Sequence, residues 1–172
     1  NFNPKNFGFP IEGFIGLTDQ KKGWENNWID CFLNLRIIPQ LSILKPNFLE
    51  EETIDKIKKK IRSELQNHKP IKTLVHGDLW SGNVGIEQGG KGVIFDPASW
   101  WADNEVDLAM TRLFGGFNKE FYEEYHKIIP ARNGFEKRII IYNFYHILNH
   151  ANMFGGSYLN QVKNYVKAIV NF

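Results

Sequence analysis

A single cysteine, Cys31, excludes an internal disulfide framework and any cysteine-based zinc site. Charge imbalance is also missing. The 21 Lys and Arg against 19 Asp and Glu leave only +2 at pH 7, no electrostatic footing for nucleic acid or a membrane surface. No apolar run approaches the length of a membrane span, and the polar opening Asn1-Phe2-Asn3-Pro4-Lys5 does not resemble a signal peptide. Asn-x-Ser/Thr acceptors are absent too. A cytoplasmic location is the default that these absences leave. Aromatic residues, in contrast, make up 15% of the chain, and rings at that density need a packed interior or a stacking site, which argues against disorder. The 172 residues suit one domain, long enough to bury a real core.

Along the chain, residues 1–23 carry Pro4, Pro10 and several glycines, and predict an irregular lead-in. The spacing Trp24, Trp28, Phe32, Leu35 predicts an amphipathic helix ending before Pro39. A second helix is expected after Pro46, with Ile54, Ile57, Ile61 and Leu65 on one face. Its acids come first and its bases later, with Glu52/Lys56 and Asp55/Lys59 pairs, so the basic cluster is a solvated helix face rather than a phosphate site. From Thr73 the pattern changes. Thr73-Leu74-Val75-His76 predicts a strand, and Val84–Ile86 and Gly92–Phe95 predict a hairpin turning at Gly89-Gly90. Helices are expected over Glu105–Phe114, Lys119–Ile129, Glu136–Phe154 and Tyr158–Val170, the third apolar nearly all round and therefore central. Phe114-Gly115-Gly116 and Phe154-Gly155-Gly156 have unlike flanks and are glycine stops after helices rather than a repeat. The fold class expected is α+β, mainly α, with a small hairpin in the middle.

The chemistry concentrates in His76-Gly77-Asp78-Leu79-Trp80-Ser81-Gly82-Asn83, followed by Ile94-Phe95-Asp96. Phosphoryl transfer needs a carboxylate beside the acceptor hydroxyl and oxygen ligands for magnesium on the phosphates. A loop with Asp and Asn five positions apart can aim Asp78 at the acceptor and return Asn83 to the metal, and Asp96 at the end of the next strand can complete the site. The bland alternative is a polar loop in which Asp78 and Asn83 cap turns. His146 and His150 lie one helical turn apart, but no glutamate intervenes and no third ligand is evident, which argues against a metal pair. Cys31 sits among apolar neighbours and is expected to be inert.

His-Gly-Asp-x-x-x-x-Asn resembles the catalytic loop of the small-molecule kinases that include aminoglycoside, choline and fructosamine kinases. The longer strings are similar to fructosamine (ketosamine) kinases in particular. These are the loop with Trp80, Asp96-Pro97-Ala98-Ser99, Glu105 to Met110, Leu113 to Phe117, Phe7 to Pro10, the Trp24/Trp28/Arg36/Gln40-Leu41 pattern and Leu148-Asn149-His150. The resemblance covers essentially the whole chain. It implies a protein-kinase-like fold and transfer of the ATP γ-phosphate to a sugar hydroxyl of a ketosamine, with ATP and Mg2+ as cofactors. Asp78 would be the base, Asn83 and Asp96 the Mg2+ ligands, and Asp107 a structural acceptor for the catalytic-loop backbone. His76 would brace that loop. Trp80 either stacks on the substrate or anchors the loop in the core. At Ala102-Asp103-Asn104-Glu105 the related pattern has Gly-Asp-Arg-Glu, which leaves the conformation there open.

No Gly-rich phosphate loop with a strand lysine and helix glutamate precedes Thr73. Against the family, the chain is therefore expected to be a carboxy-terminal lobe whose amino-terminal nucleotide lobe is missing or supplied by another chain, and to be inactive alone. Residues 73–96 would carry the catalytic loop and metal-binding segment. The competing expectations are another small-molecule kinase, of aminoglycoside or choline type, and a non-catalytic kinase remnant that binds a partner or sugar.

Overall fold

In the computed structural model, which describes residues 4–44 and 48–172, helices make up 52% of a mixed α/β chain. The first three residues and Pro46, the expected boundary before the second helix, lie outside the described residues. The lead-in expected to be irregular instead holds four short strands, β1 (Phe7–Phe9), β2 (Gly13–Ile15), β3 (Thr18–Gln20) and β4 (Gly23–Glu25). Three-residue strands carry too few positions for a period of two to show; β2 and β3 pair with each other, while β1 pairs with β4 and with the distant strand at Trp100–Asp103.

The first helix begins later than the aromatic spacing suggests. Trp24 belongs to β4 and pairs with Gly8, while α1 (Trp28–Phe32) starts after Asn27, whose side chain accepts the Asp30 N–H at 2.9 Å. It also runs past Pro39 rather than stopping there, through a π-helical turn at Leu33–Ile37 into α2 (Ile38–Ile43). A proline in this position leaves the carbonyl four residues back without its donor. That carbonyl belongs to Leu35, and Arg36 Nη1 folds back to donate to it at 2.7 Å. The wide turn and the arginine together carry the helix through the proline.

Helix α3 (Glu51–Leu65) buries Ile57, Ile61 and Leu65 as its spacing predicts. Glu52 pairs with Lys56 at 2.7 Å, whereas Asp55 pairs with Lys58 rather than Lys59. Strand β5 (Lys72–Val75) leads into the chemical loop, a 3-10 turn at Ser81–Asn83 ends it, and β6 (Val84–Ile86) and β7 (Gly92–Ile94) form the expected hairpin. Strand β8 (Trp100–Asp103) then lies at the centre of a sheet ordered β4-β1-β8-β5, antiparallel to both β1 and β5. The segment with Ala102 and Asp103, whose conformation the sequence left open, is thus a buried strand leading straight into α4 (Glu105–Leu113).

Helices α5 (Lys119–Ile128), α6 (Phe135–Phe154) and α7 (Ser157–Val170) follow within one residue of the expected bounds. Helix α6 is the central one and packs against α2, α3, α4 and α7. The core joins its Ile141, Phe144, Ile147 and Leu148 to Phe32, Ile57 and Ile61. At the sheet, Trp28 stacks on Trp100 with ring centroids 5.5 Å apart, and the Arg36 guanidinium covers Trp100 at 3.9 Å. Cys31 is fully buried, and burial pushes its thiol up to about 12, which leaves it inert at neutral pH.

Candidate active site

The loop between β5 and β6 is held from behind by one carboxylate. Asp107, in the first turn of α4, accepts the His76 N–H at 2.7 Å on one oxygen and the Gly77 N–H at 2.9 Å on the other. Burial raises the Asp107 carboxyl above its ordinary range, against the pull of these two N–H groups. His76 ties the loop to the next strand, because its Nε2 donates to the Phe95 carbonyl at 2.9 Å and its Nδ1 accepts the Asp78 N–H at 3.3 Å. Both ring nitrogens are therefore used within the fold. Gly77 takes φ +85°, and a Cβ there would lie 2.1 Å from the Ala98 carbonyl oxygen, so only glycine lets the loop pass so close to the Pro97-Ala98 segment.

Ahead of this support, Asp78, Trp80, Asn83 and Asp96 line one open pocket of about 180 Å³. Asn83 is buried, and its Nδ2 donates to the Asp78 carbonyl at 2.9 Å and to the Asp78 carboxylate at 3.2 Å. Its Oδ1 accepts no hydrogen bond from the described residues, so that oxygen remains available. Asp96, directly after the hairpin, is exposed at φ +57°, a left-handed conformation that an aspartate holds at some cost in strain. The sequence-predicted residues thus separate into two layers, with Asp78, Trp80, Asn83 and Asp96 at the pocket and His76 and Asp107 behind it.

Burial raises the Asp78 carboxyl above the ordinary carboxylate range. A proton gained by His150 or His76 would oppose the shift, as the Asn83 amide does, and the Asp96 charge adds to it. Trp80 is 37% exposed and meets Phe114 edge-on at 6.1 Å. Its indole lies over Gly82, where a Cβ would come within 2.2 Å of the ring. The tryptophan is therefore a partly open rim of the pocket and not a core side chain.

The far wall comes from residues that sequence reasoning did not place here. Asn149, His150 and Met153 project from α6, and Ile15 and Gly16 come from the β2–β3 hairpin. That hairpin is tied to α6, since the Leu17 N–H donates to Met153 Sδ at 3.3 Å and Tyr145 donates to Gln20 at 3.2 Å. Asn149 and His150 are two of several polar residues along α6, with Asn143, His146 and Asn152, so no spacing signal singled them out.

A second acidic cluster lies apart from the pocket. His68, Asp103 and Glu105 bring ligand atoms within 4.8 Å of one another, but those atoms are occupied. Asp103 accepts from His68 at 2.6 Å, Tyr142 at 2.8 Å and the Ile71 N–H at 3.2 Å, while Arg138 forks onto both Glu105 oxygens at 2.5 and 2.9 Å. This donor set is a satisfied core network. In the pocket, by contrast, the Asn83 carbonyl oxygen and the Asp96 carboxylate are oxygen donors without partners among the described residues, the set that a hard divalent cation such as Mg2+ takes.

The family model described as Fructosamine kinase matches residues 2–172. A Vibrio parahaemolyticus protein named as a probable ketoamine kinase is 43% identical over 168 residues, which is 98% of this chain and 58% of that one. Mouse ketosamine-3-kinase is 38% identical over 168 residues, covering 94% of this chain and 54% of its own length. A crystal structure of a Haemophilus somnus protein assigned as a fructosamine-3-kinase superposes with a TM-score of 0.87 at 30% identity, over 97% of this chain and 57% of that one. The chain thus spans a little over half the length of these relatives. With the matched model running over nearly all of its residues, the chain belongs to the fructosamine kinase family.

Proposed function

We propose that this chain carries the acceptor-side half of an ATP-dependent ketosamine kinase, a protein-kinase-like carboxy-terminal lobe. The observation that carries the reading is the Asp78 carboxylate, set in a pocket beside a buried amide and an exposed second carboxylate, with its own pKa raised by burial. A raised carboxyl is a better proton acceptor than a free aspartate, which suits a base that works on a sugar hydroxyl. The Asn83 amide fixes the carboxylate, and the Asp107-braced backbone fixes Asp78 itself, so the acceptor meets a pre-positioned oxygen.

In the reaction, the acceptor hydroxyl oxygen forms a bond to the γ-phosphorus as its proton passes to Asp78. The bond from that phosphorus to the β,γ-bridging oxygen breaks and ADP leaves. Asn83 and Asp96 would hold Mg2+, which when bound neutralises charge on the phosphates. Trp80, open along one face of the pocket, would stack on the sugar or on its amine-bearing carbon. The groups that hold adenine and the α- and β-phosphates would come from the remaining length found in the relatives, so this chain by itself would turn over negligibly. Cytoplasmic placement belongs to the same proposal. Among the described residues, no helix is long and apolar enough to cross a membrane.

The test joins these 172 residues to the part of the Vibrio parahaemolyticus relative that they do not match, and supplies Mg-ATP with a fructosyl-amine, an aminoglycoside or choline. Mass spectrometry should find phosphate on the fructosyl-amine only. Product on choline or the aminoglycoside instead would replace the substrate class, and no product on any acceptor would contradict the kinase reading.

A further inference from the structure

The two histidines of α6 sit one turn apart in sequence and in very different surroundings. His146 is fully buried, neither ring nitrogen has a partner among the described residues, and burial holds it neutral down to about 3. His150 faces the pocket that holds Asp78. Its Nδ1–H donates to the His146 carbonyl at 2.8 Å, which fixes the proton on that nitrogen. Phe114 at 4.8 Å, Tyr158 at 5.1 Å and Phe154 at 5.7 Å pack around the ring and, with that hydrogen bond, favour this orientation. Nε2 makes no hydrogen bond to any described residue, and in the neutral ring it carries a lone pair. The pocket therefore contains an oriented acceptor that the loop chemistry does not use.

We infer that His150 is a specificity-determining residue for the acceptor, its Nε2 accepting a hydrogen bond from a sugar hydroxyl other than the one phosphorylated. The inference rests on the ketosamine reading above. A volume of about 180 Å³ is the space of roughly six waters, enough for a single sugar unit between Asp78 on one wall and α6 on the other. Both walls then read the same sugar. Asp78 takes the proton of the reacting hydroxyl, and His150 checks for a second hydroxyl at a fixed distance and direction. A fixed acceptor of this kind selects strongly, because an analogue lacking that hydroxyl leaves it desolvated and unpaired. Asn149 cannot take this role, since its amide is already bonded to Gln40 and to the Ile15 carbonyl. His150 acts on binding and orientation, and proton transfer stays with Asp78.

The test titrates the 172-residue chain with fructosyl-lysine and follows its imidazole nitrogens, Trp80 indole and Asn83 amide by NMR. The His150 Nε2 resonance should move with the Trp80 and Asn83 signals, while His146 stays still. His150→Leu should weaken binding about tenfold, the worth of one hydrogen bond, and His150→Gln, with an oxygen near the Nε2 position, should stay within about threefold of the parent. Movement at Trp80 and Asn83 with a static His150, or unchanged binding by a folded His150→Leu, overturns the inference and leaves the ketosamine reading standing. If Trp80 and Asn83 do not respond to the sugar at all, both fail together.

Discussion

The molecule has two acidic centres, and they differ in how much of their hydrogen-bonding capacity is used. Around Asp103 and Glu105, both buried, carboxylate oxygens are matched by His68, Tyr142, the Ile71 N–H and the Arg138 fork. At the pocket, Asp78 receives its side-chain support from Asn83, while Asp96 and the Asn83 carbonyl oxygen have no partner among the described residues. Counting acids or measuring ligand spacing would favour the first centre as a metal site. Unspent capacity favours the second, because a group whose bonds are complete has nothing left to offer a ligand.

The sharpest way to break this contrast is to unpair the saturated centre. Arg138→Met leaves Glu105 buried without its partner and should cost about 3–5 kcal/mol in urea unfolding, whereas Arg138→Met with Glu105→Leu should recover most of that loss. If the single variant unfolds like the parent, the network is not structural. Asp107→Ala, which strips two loop N–H groups of their acceptor, should cost about 1–3 kcal/mol and slow phosphoryl transfer in the joined protein. Unaltered transfer would detach the loop from its brace.

Two smaller effects sharpen the comparison further. His146 has a pKa of about 3 folded against an ordinary 6.5, so the unfolded chain binds more protons between these values. Stability should then rise with pH across that window and level off above it, and His146→Phe should flatten that slope in melts run from pH 4 to 7. An equally steep slope in the variant would place the acid sensitivity elsewhere. Trp80→Ala should weaken fructosyl-lysine binding with little change in melting temperature, as befits a rim residue 37% exposed. A large fall in melting temperature would instead make Trp80 a loop anchor.

The loop side of the pocket was legible in the sequence where neighbours in space are neighbours in the chain. Asp78, Trp80 and Asn83 share one loop, and the hairpin that follows returns Asp96 to it. The long helices were legible for the same reason, each declaring its buried face through its own spacing. Strand β8 was not, because four residues opening on two tryptophans gain strand character only from β1, more than ninety residues upstream, and β5. The passage through Pro39 depends on where the Arg36 side chain folds, which no periodicity encodes. His150 and the β2–β3 hairpin reach the pocket only through the packing of α6, so the second wall of the site was invisible until that helix was in place.

The most direct test is Asp78→Asn, measured for stability and for phosphoryl transfer on the same preparation joined to the remaining length of the Vibrio relative. The account predicts a rate to the fructosyl-amine lower by about a hundred- to ten-thousand-fold, with a urea midpoint no lower than the parent's. Near-parental turnover would contradict it by removing Asp78 from proton transfer. A collapse of stability would contradict it differently, by making the pocket carboxylate as structural as Asp103.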